Sequence, residues 1–427
     1  MKKGGLTMTS RERVLAAINH QQPDRVPLDM GTTFYTGISA CALYRLRKYY
    51  GLKTRPIDIF ETSQMIGAMD PDIIEKMDLD VVGLPQAKDF AGVRVYGEKQ
   101  DFTMPDGTPV RISSAHKYKV DEKGRSYLYP QGNDHYGPSY LMPEGGYFFD
   151  ALHRAPEYDE EDLRPAEDFK EDFKLKAITD EDADWYAENA RLLRATGKAV
   201  VGTQRSSLGD PSEIEGPQVP NPTGIRGYQD WSMAQLLYPE YVKEVLEMWT
   251  EAGLKNLEIY KQAVGDNIDI INISGTDLGT QVGQLLSVET FRELYKPCFK
   301  RLNDWVHQNT DWKVLYHSCG AIRPFLDDFV DMGVDIINPV QITAAGMDAK
   351  ELKDTYGDKL VFWGGGVDTQ DTLPNKSPEQ IAEHIKKNLD IFAPGGGYVF
   401  ATIHNIMGDV PEDHIAKAFE AARNYNF

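Results

Sequence analysis

KVLYHSCGAIRPFLDDFVDMGVDIINPV, residues 313–340, holds the pattern from which the fold is read. A short run of aliphatic and aromatic residues (313–317) passes through a glycine into apolar residues at helical spacing (321–332), then into a second apolar run (334–340). Strand, helix, strand is the unit of a parallel sheet, because parallel neighbours need a long crossover between them. Similar runs recur at 26–30 (VPLDM), 79–84 (LDVVGL), 199–204 (AVVGTQ), 268–274 (IDIINIS), 360–364 (LVFWG) and 398–402 (YVFAT), so eight strands are expected. Helical patterns separate most of them, at 233–264, 288–308, 348–355 and 378–391, and a last one follows at 412–424. Eight alternating units with no break in composition predict a closed (β/α)8 TIM barrel, with the whole chain, 1–427, as one domain.

Two stretches fall outside the alternation. Thr9-Ser10-Arg11-Glu12 has the spacing of a capping box and leads into Val14, Leu15 and Ile18, which predicts an N-terminal helical extension that Pro23 and Pro27 end. Residues 93–180 are rich in Tyr, Pro, Gly and Asp, with a hairpin expected at Asp106-Gly107, and read as an insertion over the barrel rim. Tyr118, Tyr127, Tyr129, Tyr136, Tyr140, Tyr147 and Phe148 are too many large rings for a solvated loop, so this insertion is expected to narrow the entrance or to form a homodimer contact. No internal repeat is visible.

Composition excludes several classes of function. A hydrophobic share of 41 % with 26 % charged residues is that of a globular protein. Forty-six Lys plus Arg against 66 Asp plus Glu leave a net charge of -20, which repels nucleic acid and anionic membranes. The apolar runs are strand-sized, far short of the roughly 20 residues that span a bilayer. MKKGGLTMTSRERV has no apolar core and does not read as a secretory signal. Three cysteines, at 41, 298 and 319, cannot staple a chain of this length, so a reducing cytoplasm is expected.

In such a barrel the chemistry sits just past the C-terminal ends of the strands. The fifth strand ends in Tyr316-His317-Ser318-Cys319-Gly320, where alternation places His317 and Cys319 on one face. The eighth ends in Ala401-Thr402-Ile403-His404-Asn405, across the same mouth. His317, Cys319 and His404 make a candidate zinc site with the fourth position open, the ligand count of a catalytic centre; the competing reading of a lone strand-end cysteine is a small buried residue. Asp277, Asn338, Gln341 and Asp368 are further strand-end residues that either orient the histidines and bind a polar substrate or only cap helices and turns. Gly364, Gly365 and Gly366 follow the seventh strand on the active face, where backbone can approach a ligand closely, whereas Gly395–Gly397 precede the eighth and read as a turn on the opposite face. No P-loop, dinucleotide fingerprint or nucleophile elbow occurs.

TSRERVLAAINHQQPDRVPLDMG (9–31), DLGTQVGQLLSVETFRELYKP (277–297), YHSCG (316–320) and GGGYVFATIHNIMGDVPEDHI (395–415) resemble the uroporphyrinogen decarboxylase superfamily. The resemblance implies a (β/α)8 barrel and one of two chemistries. Decarboxylases of this superfamily carry an arginine-bearing R-x-x-G-R-Y tract near the first strand, which GTTFYTGISACALYRLRKYY lacks. The zinc methyltransferases, such as methylcobalamin:coenzyme M methyltransferase, carry H-x-C after strand five, matched by His317 and Cys319, and a third ligand, usually Cys, after strand eight. That position is His404 here, a residue that decarboxylases also have. The resemblance implies a zinc-dependent transfer of methyl between a corrinoid protein carrying methylcobalamin and a small methoxylated, methylamine or thiol substrate. Asp277, Gln341 and Asp368 are then expected in catalysis and Asn338, Gly364 and Gly365 at the cofactor. The alternatives are a metal-free decarboxylase using Asp277, Asp368 and His404, and a corrinoid-binding accessory protein without catalysis.

Overall fold

The computed structural model describes residues 8–204 and 214–427; the first seven residues of the N-terminal stretch read above lie outside that range. Its centre is a seven-stranded sheet whose strands neighbour one another in chain order: Val81–Leu84, Ala199–Thr203, Ile270–Ser274, Lys313–His317, Ile336–Asn338, Val361–Trp363 and Tyr398–Val399. Every pairing is parallel. The remaining expected strand, 26–30, joins the two edges. Leu28 pairs in parallel with Phe400, the Phe400 N–H donates to the Pro27 carbonyl (2.9 Å), and the Asp80 N–H donates to the Leu28 carbonyl (2.9 Å). Eight parallel segments therefore close on themselves, as the spacing of apolar runs predicts, and closure leaves no barrel edge unpaired.

Residue alternation divides the apolar side chains into two cores. Val81, Ala199, Val201, Ile270, Leu315, Ile336, Val361, Trp363, Val399 and Ala401 fill the barrel, together with Val14, Ala17 and Ile18 of the opening helix Ser10–Ile18, which plugs the bottom. Thr9 and Glu12 form the expected capping box. The alternate residues, among them Val82, Val200, Ile271, Val314, Ile337 and Phe362, point outward and pack under the helices. Gly395–Gly397 lie at the bottom, where the Gly397 N–H donates to Ala17 and a Cβ on Gly396 would strike the backbone of Gln21.

A short repeat that the sequence reading misses emerges at the feet of the even strands. LDVV, IDII and VDII place the buried Asp80 and Asp269 and the largely buried Asp335 immediately before the second, fourth and sixth strands. Each carboxylate accepts an N–H from the preceding strand, at Leu28, Val200 and Val314, and meets basic side chains: Arg13 and Arg25, Arg11 and Arg194, or Lys313 and His307. A four-residue motif with conservative apolar exchanges is too short to stand out as periodicity.

Prolines shift three helices from their expected bounds. The 233–264 pattern is two helices, Tyr228–Leu237 and Pro239–Val264, because Pro239 has no N–H to continue the first. The 288–308 pattern passes through a wide turn at Phe291–Tyr295 just before Pro297 and continues as Lys296–Asn309. The 321–332 pattern is a tight turn, Arg323–Phe325, containing Pro324, followed by the short helix Leu326–Asp331.

The insertion leaves the barrel after the second strand, on the mouth side. The hairpin at Asp106-Gly107 joins Lys99–Thr103 to Pro109–Ser113, and the latter pairs with Ile57–Glu61, a strand absent from the expected eight because it lies outside the barrel. A second antiparallel sheet comprises Tyr118–Val120, Ser126–Leu128, Tyr140–Met142 and Asp150–Ala151. Tyr140 is buried and Tyr147 packs against Gly408 beyond the eighth strand, while Tyr118 and Phe148 stay exposed. Among the described residues no helix is long and apolar enough to cross a membrane.

Candidate metal centre

His317 ends its strand with its side chain inward, one alternation above the core residue Leu315, and Cys319 continues the same face. His404 reaches in from beyond the eighth strand. The ligating atoms of these three residues all lie within 4.8 Å of one another, and Cys319 Sγ is 3.4 Å from His317 Nε2.

Hydrogen bonds fix which nitrogen of His317 carries the proton. Asn338 lies beside His317 on the next strand, and its Nδ2 donates to the Trp363 carbonyl (2.9 Å). Its Oδ1 must therefore face His317 Nδ1, 2.7 Å away, and an oxygen there requires Nδ1 to carry the proton. Nε2 is left with its lone pair toward Cys319. The Tyr35 ring stacks on the imidazole at 3.4 Å between centroids and 9° between planes, which holds the ring orientation. Burial pushes the His404 imidazole down to about 4, so it too is neutral with a lone pair to offer.

The turn that carries Cys319 is tied down from both sides. Asp277 Oδ1 accepts the Cys319 N–H (2.8 Å) and lies 3.8 Å from His317 Nε2. Gln341 Oε1 accepts the Gly320 N–H (2.8 Å). Gly320 has φ +86°, and a Cβ there would lie 2.2 Å from the backbone carbon of Gly279, so only glycine permits this crossing of the loops after the fourth and fifth strands.

The other expected site residues lie around this trio. Asp368 accepts the N–H groups of Gln370, Asp371 and Thr372, the capping role weighed for it above. Gly364 and Gly365, at φ +111° and +68°, turn the chain beside Asn338 and Val340. Asn338 meets a candidate metal ligand, His317.

Two groups escaped the sequence reading. Tyr35 lies in the loop after the first strand, a position that inspection of strand ends flags but that no residue type singles out. Asp29, on that strand, is buried among Thr32 and Trp363 Nε1 (2.8 Å), and desolvation raises its carboxyl to about 6. Trp363 thus binds Asp29 through its indole and Asn338 through its carbonyl.

The uroporphyrinogen decarboxylase (URO-D) family model matches residues 221–425, which include all three candidate ligands. Among solved structures the chain is similar to a methyltransferase from Methanosarcina mazei, at 18 % identity over 98 % of each chain with a TM-score of 0.57, a likeness of fold. No curated protein sequence matches the chain.

Proposed function

We propose that the protein, whose residues 221–425 match the uroporphyrinogen decarboxylase family model, is a zinc-dependent methyltransferase of that superfamily, exchanging a methyl group with a separate corrinoid protein. The observation that carries this reading is the convergence of His317, Cys319 and His404. The donor set fits the metal: tetrahedral zinc bonds of about 2.0–2.3 Å place ligand atoms about 3.3–3.7 Å apart. The His317–Cys319 separation of 3.4 Å already meets that, and contraction of about 1 Å brings in a ligand at the 4.8 Å limit of the trio. One thiolate and two neutral imidazoles suit zinc and leave a fourth position.

Bound there, zinc supplies Lewis acidity toward a substrate oxygen, nitrogen or sulfur. The chain supplies the rest. Asn338 holds His317 in the Nδ1-protonated tautomer, Tyr35 restrains its ring, and Asp277 and Gln341 fix the Cys319–Gly320 peptide. With a single thiolate the centre bears less negative charge than one with two, which favours polarising an ether or amine over activating a thiol. Support against a metal-free decarboxylase comes from Asp277 Oδ1 and both oxygens of Asp368, which are engaged by backbone N–H groups, and from the missing arginine tract.

The test is zinc content and methyl transfer in wild type, His317→Ala, Cys319→Ala and His404→Ala, with cob(I)alamin and methylcobalamin read by the cobalt spectrum against methoxylated compounds, methylamines and thiols. One zinc per chain, lost in each variant together with transfer, is the expected result. Full zinc retention by both Cys319→Ala and His404→Ala sinks the site, and carbon dioxide release from uroporphyrinogen by metal-free protein favours the decarboxylase.

A further inference from the structure

A cavity of about 620 Å³, including its open mouth, lies at the C-terminal ends of the second and third strands, lined in part by Gln86, Lys88, Asp89, Gln204 and Gln218. Its charged groups are matched within the protein. Lys88 Nζ lies 3.2 Å from Asp182 and donates to the carbonyls of Leu175 and Ala177. Asp89 meets His116 Nε2 at 2.7 Å, and the Lys176 ammonium stands 5.2 Å from the centre of the Trp249 ring. Neutral amides remain to meet a ligand. Gln218 is 6 % exposed and its Nε2 has no hydrogen-bond partner among the described residues, a buried donor that is costly to leave unmatched.

Amides continue around the mouth. The Gly320 N–H donates to Gln341, Gln341 Nε2 to Gln281 Oε1, and Gln281 Nε2 to Gln370 Oε1 (2.7 Å). Because the first donor is a backbone N–H, the whole chain has one polarity and ends in the Gln370 NH2 group. Glutamines thus follow the second, third, fourth, sixth and seventh strands, on a protein whose net charge is -20. A rim of carboxamides in an acidic molecule selects a large neutral ligand rich in paired donors and acceptors.

We propose that this cavity is a carboxamide-binding site and that its occupant is a peripheral amide of the corrinoid ring. The Gln218 NH2 meets the ligand carbonyl, and the Gln86 and Gln204 oxygens face its NH2. The corrin macrocycle is fringed with primary carboxamides, and a ring whose cobalt faces the metal centre brings that fringe to the mouth. The identification of the occupant rests on the corrinoid-linked reading above; the preference for an amide does not.

Equilibrium binding of dicyanocobinamide, which keeps the amides, is compared with that of cobyrinic acid, in which they are carboxylates, at ionic strengths up to 1 M to screen net charge. At high salt the amide form is expected to bind about tenfold more tightly, as one or two neutral hydrogen bonds would give, and Gln218→Leu is expected to abolish that preference. Zinc content and the thermal transition of Gln218→Leu, both unchanged, separate this from misfolding; if they change, Gln204→Leu replaces it and must show the same loss. Equal binding of the two corrinoids, no binding of either, or a preference that survives in a folded variant overturns the proposal. Cobinamide unable to displace propionamide would reassign the cavity to a small amide and overturn the corrinoid assignment. Methyl transfer without amide preference defeats this inference alone, and amide preference without transfer defeats the methyltransferase reading alone.

Discussion

His317 depends on a neighbour for its usefulness as a ligand. Asn338 sets its tautomer, and Trp363 sets the amide orientation of Asn338. Asn338→Leu keeps the volume and removes the oxygen that holds the Nδ1 proton. Metal affinity is expected to fall by about 10–100-fold, measured by competition with a chromophoric chelator, while the thermal transition of the metal-free protein moves far less than for a lost ligand strand. Unchanged affinity would mean that Tyr35 stacking alone orients the ring. The histidine and cysteine were legible at this scale because H-x-C at a strand end is a property of alternation. For Asn338 the sequence leaves open whether it orients a histidine or caps a turn, since only the register of two adjacent strands shows which ring nitrogen it touches.

Among elements, the loops after the fourth and fifth strands cross where Gly320 meets Gly279. Gly320→Ala puts a methyl group into the Gly279 backbone and forces a positive φ on alanine, so it is expected to cost about 1–3 kcal/mol and to displace the Cys319 turn. The check is zinc stoichiometry together with a urea midpoint; full zinc at unaltered stability would contradict the tight crossing. The barrel's foot gives a second prediction. Asp269 accepts the Val200 N–H and meets Arg11 and Arg194 while itself buried. Asp269→Asn leaves cations facing a neutral group, with an expected loss of about 3–5 kcal/mol in chemical denaturation and little change in metal affinity. Helix ends were the least legible elements, because Pro239, Pro297 and Pro324 each divide an otherwise continuous apolar pattern.

For the whole molecule, two buried carboxyls set a dependence on pH. Desolvation raises Asp29 from its ordinary 3.8 to about 6 and Glu61 from 4.5 to about 7. The folded state therefore binds protons that the unfolded state has released, and stability falls as pH rises from about 4 to about 7. Each group contributes on the order of 3 kcal/mol across that window, present below the unfolded value and lost above the folded one. Urea midpoints at pH 5 and pH 8 should differ less for Asp29→Asn than for wild type, with the variant gaining at pH 8. An identical difference would show that Asp29 titrates normally.

Sequence by itself determined the strand count, the barrel, the opening helix, the hairpin at Asp106-Gly107 and the three candidate ligands, because each follows from local periodicity, capping or turn chemistry. Tertiary structure alone decided how the barrel closes through Leu28 and Phe400, and that Asp368 caps a loop while Asp277 steadies Cys319. It also decided that Tyr35 covers His317 and that Gln218 faces a cavity. Those are contacts between residues far apart in the chain, fixed by the inward alternation and stagger of strands around a closed barrel, and no local pattern encodes which distant side chain arrives at the same depth.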